Sequence, residues 1–168
     1  MPAKPSAAEA LLDHPYLTTM GLFMEAHAGL AQTAERQLEA ETSLSVQWFE
    51  VLIRLVRSPG HRLRMSDLAA QTTLSASGLT RAVDRLEGAG LVRREACPSD
   101  RRGSFAVLTA AGEQRIMAAV PVHVQQLTEV LDSVFTPDEV DRLAALLRRL
   151  RDGVNPEAAL ASRPPAED

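Results

Sequence analysis

The sequence predicts a mainly α fold with a small β wing, and three observations predict it. Apolar residues make up 45% of the 168, yet aromatics are only 4%, and the apolar set is mostly Ala, Leu and Val, a composition that favours helices. Apolar positions recur at three- and four-residue steps through long stretches near both ends. Between them, two short strand-like runs flank a cluster of Pro, Ser, Asp and Gly, which is turn chemistry.

The elements follow in order. Pro2, Pro5 and Pro15 with small residues between them mark a flexible N-terminal arm over 1–15, with a short helix at 7–12. Met20, Phe23, His27, Leu30, Ala34 and Leu38 then repeat on one side of a helix over about 16–41, longer than one chain can cover alone. Ser45 caps a second helix with Val46, Phe49, Leu52, Leu55 and Val56 on one face, and Ser58, Pro59 and Gly60 end it. Arg62, Leu63 and Arg64 are extended. Ser66 caps a brief helix over 67–71, and Thr72, Thr73 and Leu74 make a turn. Ser75 caps a further helix over 76–87, closed by Gly88, Ala89 and Gly90. Two short helices joined by a tight turn are a helix-turn-helix pattern.

Residues 91–96 and 104–108 pair as a hairpin with Arg101 and Arg102 at its tip, and a basic hairpin directly after a helix-turn-helix is a wing. Thr109 caps a long helix reaching about Ser133, with Ile116, Val120, Val124, Leu127 and Leu131 facing inward and Pro121 kinking it. Thr136, Pro137 and Glu139 supply a cap, a first-turn proline and a capping box for the last helix, which Gly153 ends. The organisation expected is therefore a winged helix-turn-helix domain over 45–112, an intertwined helical dimerisation region from 16–41 and 113–153, and a disordered tail over 154–168.

Net charge is −4, which at first speaks against a nucleic-acid partner, but its distribution reverses that. Residues 54–105 carry ten Arg against five acids, while the rest of the chain carries eight basic and seventeen acidic residues. A basic middle held between acidic flanks is an electrostatic footprint for an anionic polymer. Lys4 is the one lysine, and Arg suits bidentate contacts to phosphate and guanine.

The segment 65–112 reads MSDLAAQTTLSASGLTRAVDRLEGAGLVRREACPSDRRGSFAVLTAAG and resembles the MarR family of winged helix-turn-helix transcription regulators. The recognition-helix pattern is matched by Ser75, Ala76, Ser77, Gly78, Leu79, Thr80 and Arg81. Asp84, Arg85 and Leu86 with Gly90, Leu91 and Val92 match the helix end and first wing strand. Asp100, Arg101, Arg102, Leu108, Thr109 and Gly112 match the wing and the helix after it. The resemblance implies a homodimer that binds double-stranded DNA at a pseudo-palindromic operator, and a repressor released by a small anionic or aromatic effector. It also implies an ion pair between Asp84 and Arg102 that positions the wing.

The residues themselves support the same chemistry. A helix N-terminus offers N–H groups and positive dipole to phosphate, and Ser75, Ser77 and Thr80 add hydroxyls there. Arg81, on the face of Ser77, is long enough to reach a base edge, and Arg101 or Arg102 can enter a narrow minor groove. Phe23 and Trp48 read first as core residues, with His27 left open; the alternative is that Phe23, His27 and Trp48 line an effector cleft between the terminal helices and the wing domain, as the resemblance implies. A winged-helix module that binds protein instead of DNA is the alternative; its surface would lack this Ser/Thr/Arg face.

Cys97, the one cysteine, makes no internal disulfide. Four nearby arginines would favour its thiolate, the basis of a redox-sensing alternative, but we read it as a bystander. No Gly-x-Ser-x-Gly elbow, phosphate-cradling glycine loop or His-Glu-x-x-His helix is present, and the four His have no metal-binding spacing. No enzyme activity, catalytic residue, metal or cofactor is expected. The N-terminus MPAKPSAAEA has no signal-peptide core, and no apolar run approaches the ~18–20 residues that span a bilayer, so a cytoplasmic address is expected, with no membrane partner.

Overall fold

Helix α1 runs from Pro15 to Thr42, with His14 as its cap: the imidazole Nδ1 accepts from the Tyr16 N–H at 3.2 Å, and Pro15 gives up an N–H that would have had no helical partner. This computed structural model describes residues 8–97, 100–156 and 158, with the side chains of 10 and 100–102 outside the description. The arm expected over 1–15 is therefore described only from residue 8, where Glu9–Leu11 form a single 3-10 turn; most of the tail expected over 154–168 also lies outside the described residues.

Ser43 adopts a left-handed conformation, φ 53°, and turns the chain into α2, Val46–Val56. Ser45 caps α2 by accepting from the Trp48 N–H, and its apolar face buries Phe49, Val51, Leu52 and Leu55. Strand β1, Arg62–Arg64, leads directly into α3, Met65–Gln71. Here the expected cap is corrected. Arg64 occupies the N-cap position in extended conformation, so Ser66 is already inside the helix and donates its hydroxyl to Asp67 Oδ1 at 3.2 Å. Glu50 of α2 holds the turn after α3, accepting from the Thr73 N–H at 2.7 Å and its hydroxyl at 3.0 Å. Helix α4, Ala76–Gly88, follows, and Gly90 at φ 72° turns the chain into the sheet.

The sheet has the order β1-β3-β2, all antiparallel, with β2 spanning Val92–Cys97 and β3 spanning Asp100–Leu108. Two features differ from expectation. Leu63 of β1 stands opposite Ala106, so the extended stretch after α2 is a third strand. The wing hairpin is also longer: Cys97 pairs with Asp100 and Ala96 with Ser104, so β3 slips by Arg101, Arg102 and Gly103. The two arginines thus belong by backbone to an irregular stretch of β3 rather than to an open turn, because the strand pairing persists through turn-forming residues.

Helix α5, Ala110–Asp132, is capped by Thr109 and runs through Pro121; α6, Pro137–Val154, opens with the expected capping box, Glu139 Oε2 accepting from both the Thr136 N–H and hydroxyl. The core gathers Leu52, Leu55, Leu68, Leu79, Val83, Leu86, Val92, Ala106 and Ile116 from α2, α3, α4, the sheet and α5. On α5 the inward stripe is Ile116, Ala119, His123 and Gln126, whereas Val124 and Leu127, expected inward, are exposed. The polar members face α1: Gln126 donates to Glu41 at 3.1 Å and the Arg115 guanidinium to the Thr42 carbonyl at 2.5 Å.

The terminal helices are bare. Helix α6 buries none of its residues, with Leu146 59% and Leu150 46% exposed, and α1 buries only Leu38, leaving Met20 54% and Phe23 42% exposed. The end of α6 does reach the wing domain, where Asn155 donates to the Ala70 carbonyl at 3.2 Å. Among the described residues no helix is long and apolar enough to cross a membrane.

Candidate nucleic-acid interface

Helix α4 has two faces. Leu79, Ala82, Val83 and Leu86 are buried in the core, while Ser75, Ser77, Thr80, Arg81, Asp84 and Arg85 are exposed. Residues 77, 80, 81 and 84 fall at three- and four-residue steps, so they form one stripe along the solvent side. Ser75 caps the helix by accepting from the Gly78 N–H at 3.1 Å, and its hydroxyl lies 3.3 Å from that of Ser77. Thr80 donates its hydroxyl to the Ala76 carbonyl, which fixes its rotamer. Arg81 Nε donates to the Ser77 carbonyl at 3.3 Å, and its two terminal nitrogens have no partner among the described residues. The four residues expected at the α4 end of the interface are thus brought together at one exposed helix terminus. Arg101 and Arg102 are placed by backbone on β3; their side chains lie outside the description.

The partner recorded for Asp84 is Arg94. The Arg94 guanidinium lies 2.5 Å from Asp84 Oδ1 and 3.0 Å from Glu87 Oε2, and 3.4 Å from the Thr80 carbonyl oxygen. Its backbone N–H donates to Glu87 Oε1 at 2.9 Å. Burial pulls the Arg94 pKa down, but the hydrogen bonds and charges of Asp84 and Glu87 outweigh this and raise it above the ordinary value. Arg102, the expected partner of Asp84, has no described side chain. Sequence reasoning gave Arg94 no partner on α4, taking it as phosphate-side or solvated. Period-two alternation from the buried Val92 would have found it, since residues 92 and 94 share a strand face.

Arg62, Arg64 and Arg93 sit on the outer side of the sheet. Arg93 pairs with Glu95, and Arg62 lies 3.9 Å from the same carboxylate. The guanidinium carbons of Arg62 and Arg64 stand 4.9 and 5.6 Å from the Phe105 ring centre, a cation–π arrangement.

Phe23, His27 and Trp48 are not brought into one cavity. Phe23 lines a cavity of about 690 Å³ between α1 and α6 with Met20, Leu147 and Arg151. His27 is exposed, and Trp48 packs against the core of the wing domain. Cys97 is buried, 5% exposed. The least expected polar group is His123: its ring meets Phe49 edge-on at 4.6 Å, and its Nδ1 is buried without a hydrogen-bond partner among the described residues.

Comparison with known proteins gives one consistent relationship. The sequence pattern of the MarR family matches residues 42–103. The fold superposes on Sco3205, a MarR family transcriptional regulator from Streptomyces coelicolor solved in complex with DNA, with TM-score 0.73 and 33% identity, covering 92% of each chain. It superposes on AbsC, a MarR family transcriptional regulator from the same organism, with TM-score 0.72 and 31% identity, covering 91% of this chain and 98% of that one. The HTH-type transcriptional regulator MhqR from Bacillus subtilis is 30% identical over 86 residues, or 51% of this chain. The matches span 55% and 59% of the lengths of YkoM and MhqR, two curated relatives from that organism.

Proposed function

The chain belongs to the MarR family, and from that premise we propose that it is a sequence-specific DNA-binding transcription regulator working as a homodimer. The observation that carries the reading is the exposed stripe at the start of α4. Ser75, Ser77, Thr80 and Arg81 stand together at a helix N-terminus while the opposite face is anchored in the core. Free N–H groups and dipole favour phosphate, and the Arg81 fork suits a guanine edge in the major groove. Arg101 and Arg102 on β3 are assigned to the minor groove beside it. Asp84 helps position the wing, through Arg94 and, as the family resemblance implies, through Arg102.

The second copy covers the bare apolar faces of α1 and α6. A dimer places the two α4 helices one turn of DNA apart, ~34–36 Å, over a pseudo-palindromic operator. The similarity to Sco3205, which was solved on DNA, supports duplex DNA as the partner. The regulator acts in the cytoplasm as a repressor, released when a small anionic or aromatic effector shifts the dimer toward a spacing that no longer fits the operator. The effector is assigned to the cavity between α1 and α6 that Phe23 lines with Met20, Leu147 and Arg151.

Selection of duplexes from a random-sequence library by the full chain tests the reading. The expected product is an inverted repeat with half-site centres about 10–10.5 base pairs apart. Enrichment of no duplex would overturn it in favour of a winged-helix module that binds protein.

A further inference from the structure

We propose that Arg94 is the positioning residue of the DNA interface: from strand β2 its guanidinium fixes how α4 is presented and cancels the two carboxylates that share that helix with Arg81. The role rests on the DNA-binding reading above and adds to it a residue outside the contact surface.

The geometry is that of a clamp. Thr80 O, Asp84 and Glu87 span eight residues of α4, about 10 Å along its axis, and one side chain reaches all three. One terminal nitrogen, Nη1, serves both carboxylates while the other, Nη2, lies 3.4 Å from the Thr80 carbonyl; an ammonium has a single nitrogen and would give up the Thr80 contact. The Arg94 main chain is tied as well, through its N–H to Glu87, so the helix is fixed to the strand backbone and not merely to a mobile side chain. The Arg94 side chain is 28% exposed, against 54% for Asp84. Its neighbour Arg93 is spent on Glu95 within the sheet and leaves the clamp without a substitute.

The electrostatics point the same way. Asp84 lies one turn beyond Thr80 and Arg81 on the exposed stripe. Without Arg94, the carboxylates of Asp84 and Glu87 offset the two arginines of α4, Arg81 and Arg85, close to where phosphate must approach. With Arg94 the helix region is net positive. Because β2 pairs with β3, which carries Arg101 and Arg102, the clamp also sets the distance between the helix and the wing.

The test compares Arg94→Ala and Arg94→Lys with the wild-type full chain. A duplex enriched by the wild type and a scrambled duplex of equal length are the probes, and thermal midpoints are measured alongside. Arg94→Ala is expected to lose about tenfold or more in affinity for the enriched duplex, the size of one charged hydrogen bond, and to lose part of its preference over the scrambled one. Arg94→Lys separates positioning from bulk stability. The lysine can keep the carboxylates paired through its single nitrogen but gives up the Thr80 contact, so the midpoint should return to near wild type while affinity and preference stay low. Arg94→Ala binding as tightly as wild type would overturn the role, as would Arg94→Lys restoring midpoint and affinity together. Should Arg94→Ala fail to fold, Arg94→Lys decides by the same two readouts. A wild-type chain that enriches no duplex overturns the DNA-binding reading itself, and this role with it.

Discussion

A β-carbon on Gly112 would stand 2.0 Å from the carbonyl oxygen of Leu91. That oxygen sits at the junction of the wing and α5. It accepts from the Thr109 N–H at 3.1 Å and the Thr109 hydroxyl at 3.0 Å, while the Gly112 N–H donates to the same hydroxyl at 3.0 Å. Leu108 Cδ1 closes the other side, 2.8 Å from the same β-carbon position. Leu108, Thr109 and Gly112, the Leu-Thr-x-x-Gly sequence, therefore pin the start of β2 to the start of α5.

Gly112→Ala should accordingly destabilise the fold by about 2–3 kcal/mol, since the Leu91 carbonyl it would push is held by two hydrogen bonds from Thr109. Urea denaturation measures it. Gly88→Ala is the control, because nothing lies within 4 Å of a β-carbon there, and it should be neutral or slightly stabilising. Equal stability for Gly112→Ala and wild type would mean that β2 and α5 are not joined so closely.

His123 makes stability pH-dependent. Burial against Phe49 lowers its pKa below the ordinary value, and the neighbouring Gln126 amide offsets this only in part. On the same seam Glu41 of α1 accepts from the Gln126 amide. The folded pKa lies below the unfolded value of about 6.5, so the unfolded chain takes up a proton first as pH falls. Stability is then full above about pH 6.5 and declines below it until the folded pKa is passed. His123→Phe keeps the ring against Phe49 and should flatten the decline in thermal midpoint between pH 7 and 5; an unchanged slope would remove His123 as its source.

Much of this architecture is legible in the sequence, and the part that is not has one physical cause. Caps are local: Ser45, Ser75, Thr109 and Thr136 each announce a helix within three residues, and each begins one. Ser66 misleads because β1 feeds α3 without a linker. Non-local pairing is what stays hidden. Leu63 meets Ala106 across more than forty residues, the turn-forming run after Cys97 conceals the length of β3, and Arg94 finds Asp84 and Glu87 only once β2 lies along α4. The hidden polar stripe of α5, His123 and Gln126, is invisible to a search for apolar periodicity.

The bare helices predict the oligomeric state. Leu150→Glu puts a carboxylate into the apolar face of α6, where Leu146, Leu147 and Leu150 are all at least 40% exposed in one copy. Sedimentation at micromolar concentration should show a dimer for wild type and a shift toward monomer for the variant, with operator affinity falling in step. A variant that stays dimeric with unchanged affinity would place the interface elsewhere.

Arg81 and the wing arginines should act differently on DNA. Arg81→Ala should cost ~1–3 kcal/mol on the enriched duplex and relax preference at one base position per half-site. Arg102→Ala should weaken all sequences alike and lower the salt slope by roughly one counterion per wing. Binding to a series of single-base variants at several salt concentrations separates the two; base-specific loss in Arg102→Ala with uniform loss in Arg81→Ala would reverse the assignment.

The measurement that bears most directly on the central claim is fluorescence anisotropy of the enriched duplex and its scrambled counterpart, titrated with the wild-type full chain and Ser77→Ala/Arg81→Ala at several salt concentrations. The account predicts at least ~10³-fold preference for the enriched duplex in the wild type, a steep loss of affinity with salt, and collapse of that preference in the double variant. Wild-type binding that ignores salt, or a double variant that discriminates the two duplexes as the wild type does, would contradict the claim that the exposed stripe of α4 reads DNA.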